Sequence, residues 1–208
     1  MARIIGLLGY KGGVGKTTTA IHLAAALRAK GSVAVVDGDN NGSARLWASG
    51  KPPLPFPVVS MLQFSVHASS DYVVVDSAAR PSIAELKDLV DFCDLLILPS
   101  NAEGMSLDAL EQTVARLAEL KASHFKALLT LIPASPSKEG ADARAYLESL
   151  KIPLFSTQIR ASAAFRAAST GNQLVYEVKG NRGAKSAWMD YENLGREVLA
   201  FLDGPRKP

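Results

Sequence analysis

The chain has 208 residues, of which 48% are hydrophobic and 21% are charged. This composition is that of a folded globular protein and excludes a disordered or fibrous one. A chain of this length is expected to form a single domain, residues 1–208, with a sizeable core. The single cysteine, Cys93, excludes an internal disulfide and a Cys-ligated metal cluster, and is expected to lie in the core.

The formal net charge is +3, and the positive excess is concentrated near the C-terminus. Residues 160–185 hold five basic residues, Arg160, Arg166, Lys179, Arg182 and Lys185, and one acidic residue, Glu177. No run of residues approaches the ~20 apolar positions of a membrane span, and the N-terminal apolar run is too short for a signal peptide. We therefore expect a cytoplasmic protein.

Short apolar strands alternate with helical patterns, which predicts an α/β fold: a doubly wound, mostly parallel sheet with helices on both faces. Strands are expected at 3–9, 33–37, 56–61, 71–77, 94–100 and 126–133, with a further short strand at 153–159. Helices are expected at 16–30, 43–49, 82–91, 106–122, 139–150, 161–169 and 186–203. The proline-rich stretch 51–57 is expected to be an extended surface connection.

The sequence YKGGVGKTTT, residues 10–19, is typical of a phosphate-binding loop between a strand and a helix. Gly12, Gly13 and Gly15 let the backbone approach an anion closely, and the following helix N-terminus adds positive potential. Lys16 is expected to reach the terminal phosphates, and Thr17 to place its hydroxyl on Mg²⁺. The loop therefore predicts a nucleotide site, with Val14 and Thr18 completing the cofactor-binding segment.

Acidic residues follow two other predicted strands. Asp37 and Asp39 follow the second strand, and Asp76 ends the apolar run YVVVD. In a parallel sheet these carboxyl ends lie at one edge, with the phosphate loop and Pro99, where ligands bind. Asp76 is then expected to hold Mg²⁺ through water. Asp37 and Asp39 could orient a water and support the metal, although DGDNNG is also a sequence typical of turns.

Three motifs in this order, KGGVGKTT at 11–18, VVDGDNNGS at 35–43 and DYVVVDS at 71–77, resemble those of the ParA/MinD family of P-loop ATPases. The similarity continues through LILPSNAEGMSLDAL to the C-terminal helix, so it covers nearly the whole chain. Asn40 and Asn41 stand where partition proteins usually carry Pro and Gln, and Ala78 and Ala79 where the family often carries two prolines. The 38 residues between Asp37 and Asp76 resemble the small ParA subgroup of partition ATPases that lack an N-terminal helix-turn-helix domain.

The resemblance implies a role for the second lysine of the loop. In this family a residue matching Lys11 reaches across an ATP-sandwich homodimer to the partner's nucleotide, whereas Lys16 serves its own. Asp39 matches the residue that positions the attacking water, and Asp37 and Asp76 match acids on the Mg²⁺ side. The implied cofactors are ATP and Mg²⁺, the implied activity is slow ATP hydrolysis stimulated by a ParB-like or adaptor protein, and adenine is expected near Pro133.

The branches of the family leave alternatives open. ParA-like members bind nonspecific DNA and position a cargo, such as a plasmid, a chromosome or a protein body. This predicts nucleoid association, with the five basic residues of 160–185 as candidate DNA contacts. A MinD-like membrane regulator is one alternative, but the apolar stripe of 187–202 favours core packing over membrane binding, and the tail carries only Arg206 and Lys207 beside Pro205. A metabolic P-loop ligase or kinase is the other.

Overall fold

The computed structural model describes residues 2–204. Among these residues, six strands form one parallel sheet in the order β3-β2-β4-β1-β5-β6. The strands are β1 (Arg3–Leu7), β2 (Val33–Gly38), β3 (Val58–Ser60), β4 (Tyr72–Ser77), β5 (Leu95–Ser100) and β6 (Phe125–Leu129). With helices on both faces, this sheet confirms the predicted doubly wound fold, that of the P-loop NTPases.

The helices divide between the two faces of the sheet. They are α1 (Lys16–Leu27), α2 (Ser43–Trp47), α3 (Ile83–Phe92), α4 (Gly104–Glu119), α5 (Glu139–Ser149), α6 (Ala163–Thr170) and α7 (Ala184–Leu202), with 3₁₀ helices at Met61–His67 and Val175–Glu177. The largest apolar cluster joins α1, α2, α6 and α7 to one face, whereas a second joins α3, α4 and α5 to the other. Strands covered on both sides explain the near-continuous apolar runs in the sequence.

The expected strand at 153–159 is wrong. This segment contributes one isolated bridge, between Leu154 and Ala127, and a second bridge, between Arg160 and Ile132, follows directly after it. The neighbouring strand β6 ends at Leu129, short of the predicted 133, because Leu131 takes a left-handed backbone conformation with φ of 56°. The strand expected at 56–61 likewise shortens to β3, and the chain passes directly into the 3₁₀ helix Met61–His67.

The apolar stripe of α7 lies in the core, as predicted. Tyr191, Leu194, Val198 and Leu202 are buried, and Trp188 packs against the same cluster. Among residues 2–204, no helix is long and apolar enough to cross a membrane. Pro205, Arg206 and Lys207, on which the expectation about the tail rests, lie outside the described residues.

A buried histidine connects the helix of the phosphate loop to the C-terminal helices. His22 on α1 is fully buried among the rings of Trp47, Phe165 and Tyr191. Its Nδ1 lies 2.8 Å from the carbonyl oxygen of Thr18, and its Nε2 accepts the backbone N–H of Val175 at 3.1 Å. Both ring nitrogens are therefore satisfied by a neutral imidazole, and burial lowers the pKa of His22 to about 4.

This buried imidazole predicts a pH-dependent stability. Because the pKa of His22 falls from an ordinary 6.5 to about 4 on folding, the unfolded chain binds more protons between these values. The His22 contribution to the free energy of unfolding is complete above pH 6.5 and lost as the pH falls towards 4, by up to about 3 kcal/mol. Urea unfolding across this range should show a shallower pH dependence for His22→Gln than for wild type. The control His67→Gln should match wild type, and equal slopes for His22→Gln and wild type would contradict the assignment.

Candidate functional site

The phosphate loop lies at the carboxyl edge of the sheet, between β1 and α1. Gly13 and Gly15 have φ of 79° and 85°, the left-handed region that glycine adopts without strain. Within residues 2–204, a Cβ placed on Gly12, Gly13 or Gly15 would meet no atom within 4 Å, so the loop backbone is open to an approaching anion. No side chain of these described residues caps the N-terminus of α1, which leaves its N–H groups and positive end available to a phosphate.

Thr17 and Asp76 meet beneath this loop, and Lys16, whose Nζ donates to the Lys11 carbonyl oxygen at 3.4 Å, interacts electrostatically with Asp76. The Thr17 hydroxyl donates to Asp76 Oδ2 at 2.7 Å, whereas the buried Asp76 Oδ1 has no hydrogen-bond partner among the described residues. Burial raises the pKa of Asp76 to about 6, against the lowering effect of the Thr17 hydrogen bond. Burial also lowers the pKa of Lys16, although Asp76 and Asp39 oppose this shift. A phosphate and a divalent cation would supply the missing counter-charges.

Asp37 and Asp39 lie beside Asp76 but differ in how their oxygens are used. Asp37 pairs with Asp76 across the neighbouring strands β2 and β4. Its Oδ1 accepts the Asp39 N–H at 3.1 Å, and its Oδ2 accepts the Arg45 N–H at 3.0 Å. Both oxygens of Asp37 therefore hold the loop that carries Asp39, and an approach of Asp37 to Mg²⁺ would be through water. Asp39 is only partly buried, so its carboxylate can reach a water at this edge.

Lys11 points away from its own loop and contacts α4. Its Nζ donates to Ser106 Oγ at 2.7 Å and to Glu103 Oε2 at 3.0 Å. The hydrogen bond from Lys11 lowers the pKa of Glu103. Lys11 and Lys16 thus lie at opposite ends of one loop, and the side chain of Lys11 bonds to α4 whereas that of Lys16 is buried beneath the loop. Neither Glu103 nor Ser106 was among the predicted site residues, although both lie in the segment LILPSNAEGMSLDAL that carries part of the resemblance.

The end of β6 supports the loop from the other side. The Thr130 hydroxyl donates to the Val14 carbonyl oxygen at 2.9 Å, a contact that no local sequence pattern indicates. Pro133 follows three residues later and is partly buried, beside Ile132, whose backbone bonds to Ile159 and Ala161. The expected adenine region therefore lies on a segment fixed to the loop through β6.

The five candidate DNA contacts lie in residues 160–185, the C-terminal unit, but their surroundings differ. Arg160 forms a bidentate ion pair with Asp190, with both N–O distances at 2.7 Å. Arg166, Lys179, Arg182 and Lys185 are exposed. The two ends of the unit meet where Gly183 approaches Ser162, since a Cβ on Gly183 would lie 3.1 Å from Ser162 Oγ. Arg160 thus already has a protein partner, whereas the other four side chains face solvent.

Comparison with known proteins assigns the family. The sequence profile of the CobQ/CobB/MinD/ParA nucleotide-binding domain matches residues 5–175, which is most of the chain. The chain therefore belongs to this family of nucleotide-binding proteins, as its motifs predicted.

A relative covers almost the whole chain. The maintenance of carboxysome distribution protein A of Gloeobacter kilaueensis is 34% identical over 203 residues, which is 94% of each protein. Two solved structures share the fold at 18% identity. A chain of the MinC:MinD cell division protein complex from Aquifex aeolicus has a TM-score of 0.76, covering 100% of this chain and 99% of the other. The ATP complex of a Cyanothece McdA variant has a TM-score of 0.73, covering 96% of each chain.

The geometry of Asp76 predicts opposite effects of one substitution on stability and on metal binding. At pH 8 the buried Asp76 is charged, and Lys16 compensates its burial only in part, so Asp76→Asn should stabilise the nucleotide-free chain by about 1–3 kcal/mol. The same change should abolish the gain in ATP affinity that Mg²⁺ provides. Urea unfolding and calorimetric titration of ATP with and without Mg²⁺ would measure both.

Asp142→Asn, which removes an exposed carboxylate on α5, is the matched control and should change neither quantity. If Asp76→Asn kept the full Mg²⁺-dependent gain in ATP affinity, Asp76 would not be a metal-side acid.

Proposed function

We propose that this chain is a ParA-like ATPase that binds ATP and Mg²⁺, forms an ATP-dependent sandwich homodimer and binds nonspecific DNA. The separate positions of Lys11 and Lys16 carry this proposal. Lys16 lies beside Asp76 under its own loop, whereas Lys11 extends towards α4 and is only partly exposed. A lysine at the outer end of the loop can add positive charge to a second nucleotide, which makes dimerisation depend on ATP.

The chemistry of the site fits ATP with Mg²⁺. The glycine backbone and the positive end of α1 bind phosphate, and Lys16 neutralises its charge. Bound Mg²⁺ would be held by the Thr17 hydroxyl and, through water, by the free oxygen of Asp76, and would neutralise charge that develops on the phosphates. Asp39 orients the attacking water, and Asp37 holds the Asp39 loop in place. Hydrolysis of ATP to ADP and phosphate then ends the dimeric state, and a partner protein accelerates this step.

The exposed basic side chains of the C-terminal unit support the DNA-binding part of the proposal. Arg166, Lys179, Arg182 and Lys185 can contact phosphates without reading bases, which suits nonspecific binding. Two copies in a dimer double these contacts and raise DNA affinity steeply. We assign Arg160 a mainly structural role through Asp190. Binding to chromosomal DNA would make the protein nucleoid-associated.

The cargo that we propose is a protein body. The name of the Gloeobacter kilaueensis relative concerns carboxysome distribution, and that relative matches this chain along nearly its full length. A DNA-bound dimer that a cargo-borne partner releases from DNA would move that cargo along the resulting gradient of bound ATPase.

The experiment measures binding to random-sequence duplex DNA without nucleotide and with ADP, ATP or ATP plus Mg²⁺. Wild type should bind only with ATP plus Mg²⁺, and Lys11→Ala should lose at least ~100-fold in affinity because the dimer does not form. Lys30→Ala, an exposed lysine at the opposite edge of the sheet, is the matched control and should behave as wild type.

A second variant separates dimerisation from DNA contact. Arg182→Ala/Lys185→Ala should keep the ATP-dependent dimer, as measured by sedimentation. It should also make the plot of log DNA affinity against log salt concentration less steep, by the equivalent of about two phosphate contacts per subunit. Absence of DNA binding in every nucleotide state, together with rapid turnover without a partner, would contradict the proposal and favour a metabolic ligase or kinase.

A further inference from the structure

The face of β4 opposite α1 carries an open apolar groove. Its floor is β4, where Val73, Val75 and the neighbouring Val36 form a small buried cluster. Its walls are the 3₁₀ helix Met61–His67 and α3, and its volume is about 500 Å³. Parallel strands ordinarily have both faces covered by helices. The short connection between β2 and β4 leaves this part of the sheet with only the 3₁₀ helix Met61–His67 beside α3.

The 3₁₀ helix is unusual because none of its residues is fully buried, although the partly buried Phe64 packs against the Val36, Val73 and Val75 cluster. Four of its seven residues are apolar, and Leu62 is 96% exposed, Val66 72% and Met61 52%. A short helix ordinarily depends on burial of an apolar face for its stability. On the other wall, Ile83 and Phe92 are also largely exposed. The apolar surface thus extends beyond the groove on both sides, and its extent suits a polypeptide better than a small molecule.

The charges at the groove identify the chemistry of its occupant. Glu85, Asp88, Leu89 and Phe92 share one face of α3, and all four line the groove. Among the described lining residues there is no lysine or arginine. Lys87 lies on another face of α3, where it pairs with Asp91 at 2.6 Å. Two carboxylates beside an apolar floor attract a basic apolar segment and repel DNA and anionic membranes.

We propose that this groove, defined by the 3₁₀ helix Met61–His67, β4 and α3, binds a basic amphipathic helix of a partner protein. The ten residues of α3 extend over about 15 Å, which sets the length of the bound segment at roughly three helical turns. The groove also reaches Gly38, Asn40, Ser77 and Ala78, so an occupant contacts the chain segments that carry Asp39 and Asp76. The assignment deepens the proposed function, from which it takes the existence of a partner protein.

The test uses two fluorescein-labelled amphipathic peptides of about 18 residues, one of Leu and Lys and one of Leu and Glu. Fluorescence anisotropy with the full chain at about 0.15 M salt should give at least ~10-fold tighter binding for the Leu/Lys peptide. Met61→Asp and Asp88→Lys should each weaken its binding at least ~5-fold. No nucleotide or DNA is present, so failure of the ATPase or DNA proposal and failure of this one are separate results.

Two matched controls locate the site. Met189→Asp makes the same change at a methionine of similar exposure on α7, and Asp142→Lys makes the same charge reversal on α5. Both should bind the Leu/Lys peptide as wild type does, and thermal unfolding of all four variants would test whether each one folds. Asp88 is exposed, and unlike Glu85 it takes no part in the capping box of α3, so Asp88→Lys keeps the test decisive if Met61→Asp unfolds.

Several outcomes would overturn the proposal. Equal affinity for the two peptides, or equal weakening by groove and control variants, would show nonspecific binding. Flotation with phosphatidylglycerol vesicles that Met61→Asp abolishes would assign the groove to a membrane. Nucleotide-free self-association that Met61→Asp abolishes would assign it to a second copy of the chain.

Discussion

The parallel register of β1, β2 and β4 is the constraint on which the site depends. It aligns Leu7 with Asp76 and Asp37 with Asp76, so that the phosphate loop and both acids emerge at one edge. The apolar helices on both faces fix this register, because a shift by one residue would turn every buried side chain to the opposite face. The packing of the core therefore determines where the charges of the site lie.

The charges at this edge are balanced only in part by the protein itself. One oxygen of Asp76 accepts a hydrogen bond from Thr17, and the other has no partner in the described part of the chain, while the buried Lys16 interacts with Asp76 electrostatically. Lys11, in contrast, forms an ion pair with Glu103 at the N-terminus of α4. This arrangement favours binding of a highly charged ligand. A phosphate would pair with Lys16 and a metal ion with Asp76, whose charges the folded chain compensates only in part. Stability and ligand binding thus place opposite demands on Asp76.

The sequence predicted the sheet, its helices and the composition of the loop, because periodicity and glycine spacing are local signals. It did not predict the 3₁₀ helix Met61–His67, of which only Met61 belonged to the strand expected at 56–61, nor the end of β6, which depends on the backbone conformation of Leu131. The contacts of Lys11 with Ser106, of Thr130 with Val14 and of Arg160 with Asp190 join residues far apart in sequence. Only the tertiary fold brings such pairs together, so no local pattern could reveal them.

The most direct test asks whether Lys11 acts across the dimer. Lys11→Ala and Asp39→Ala chains should each be inactive alone as ATPases, because one lacks the donated lysine and the other lacks the residue that orients water. In an equimolar mixture, each mixed dimer contains one complete site if Lys11 is supplied in trans. ATP turnover, measured with DNA present at a chain concentration at which sedimentation detects mixed dimers, should then rise well above that of either chain alone and approach about a quarter of the wild-type value. A mixture that forms dimers but is as inactive as its components would show that Lys11 serves its own nucleotide and would contradict the account.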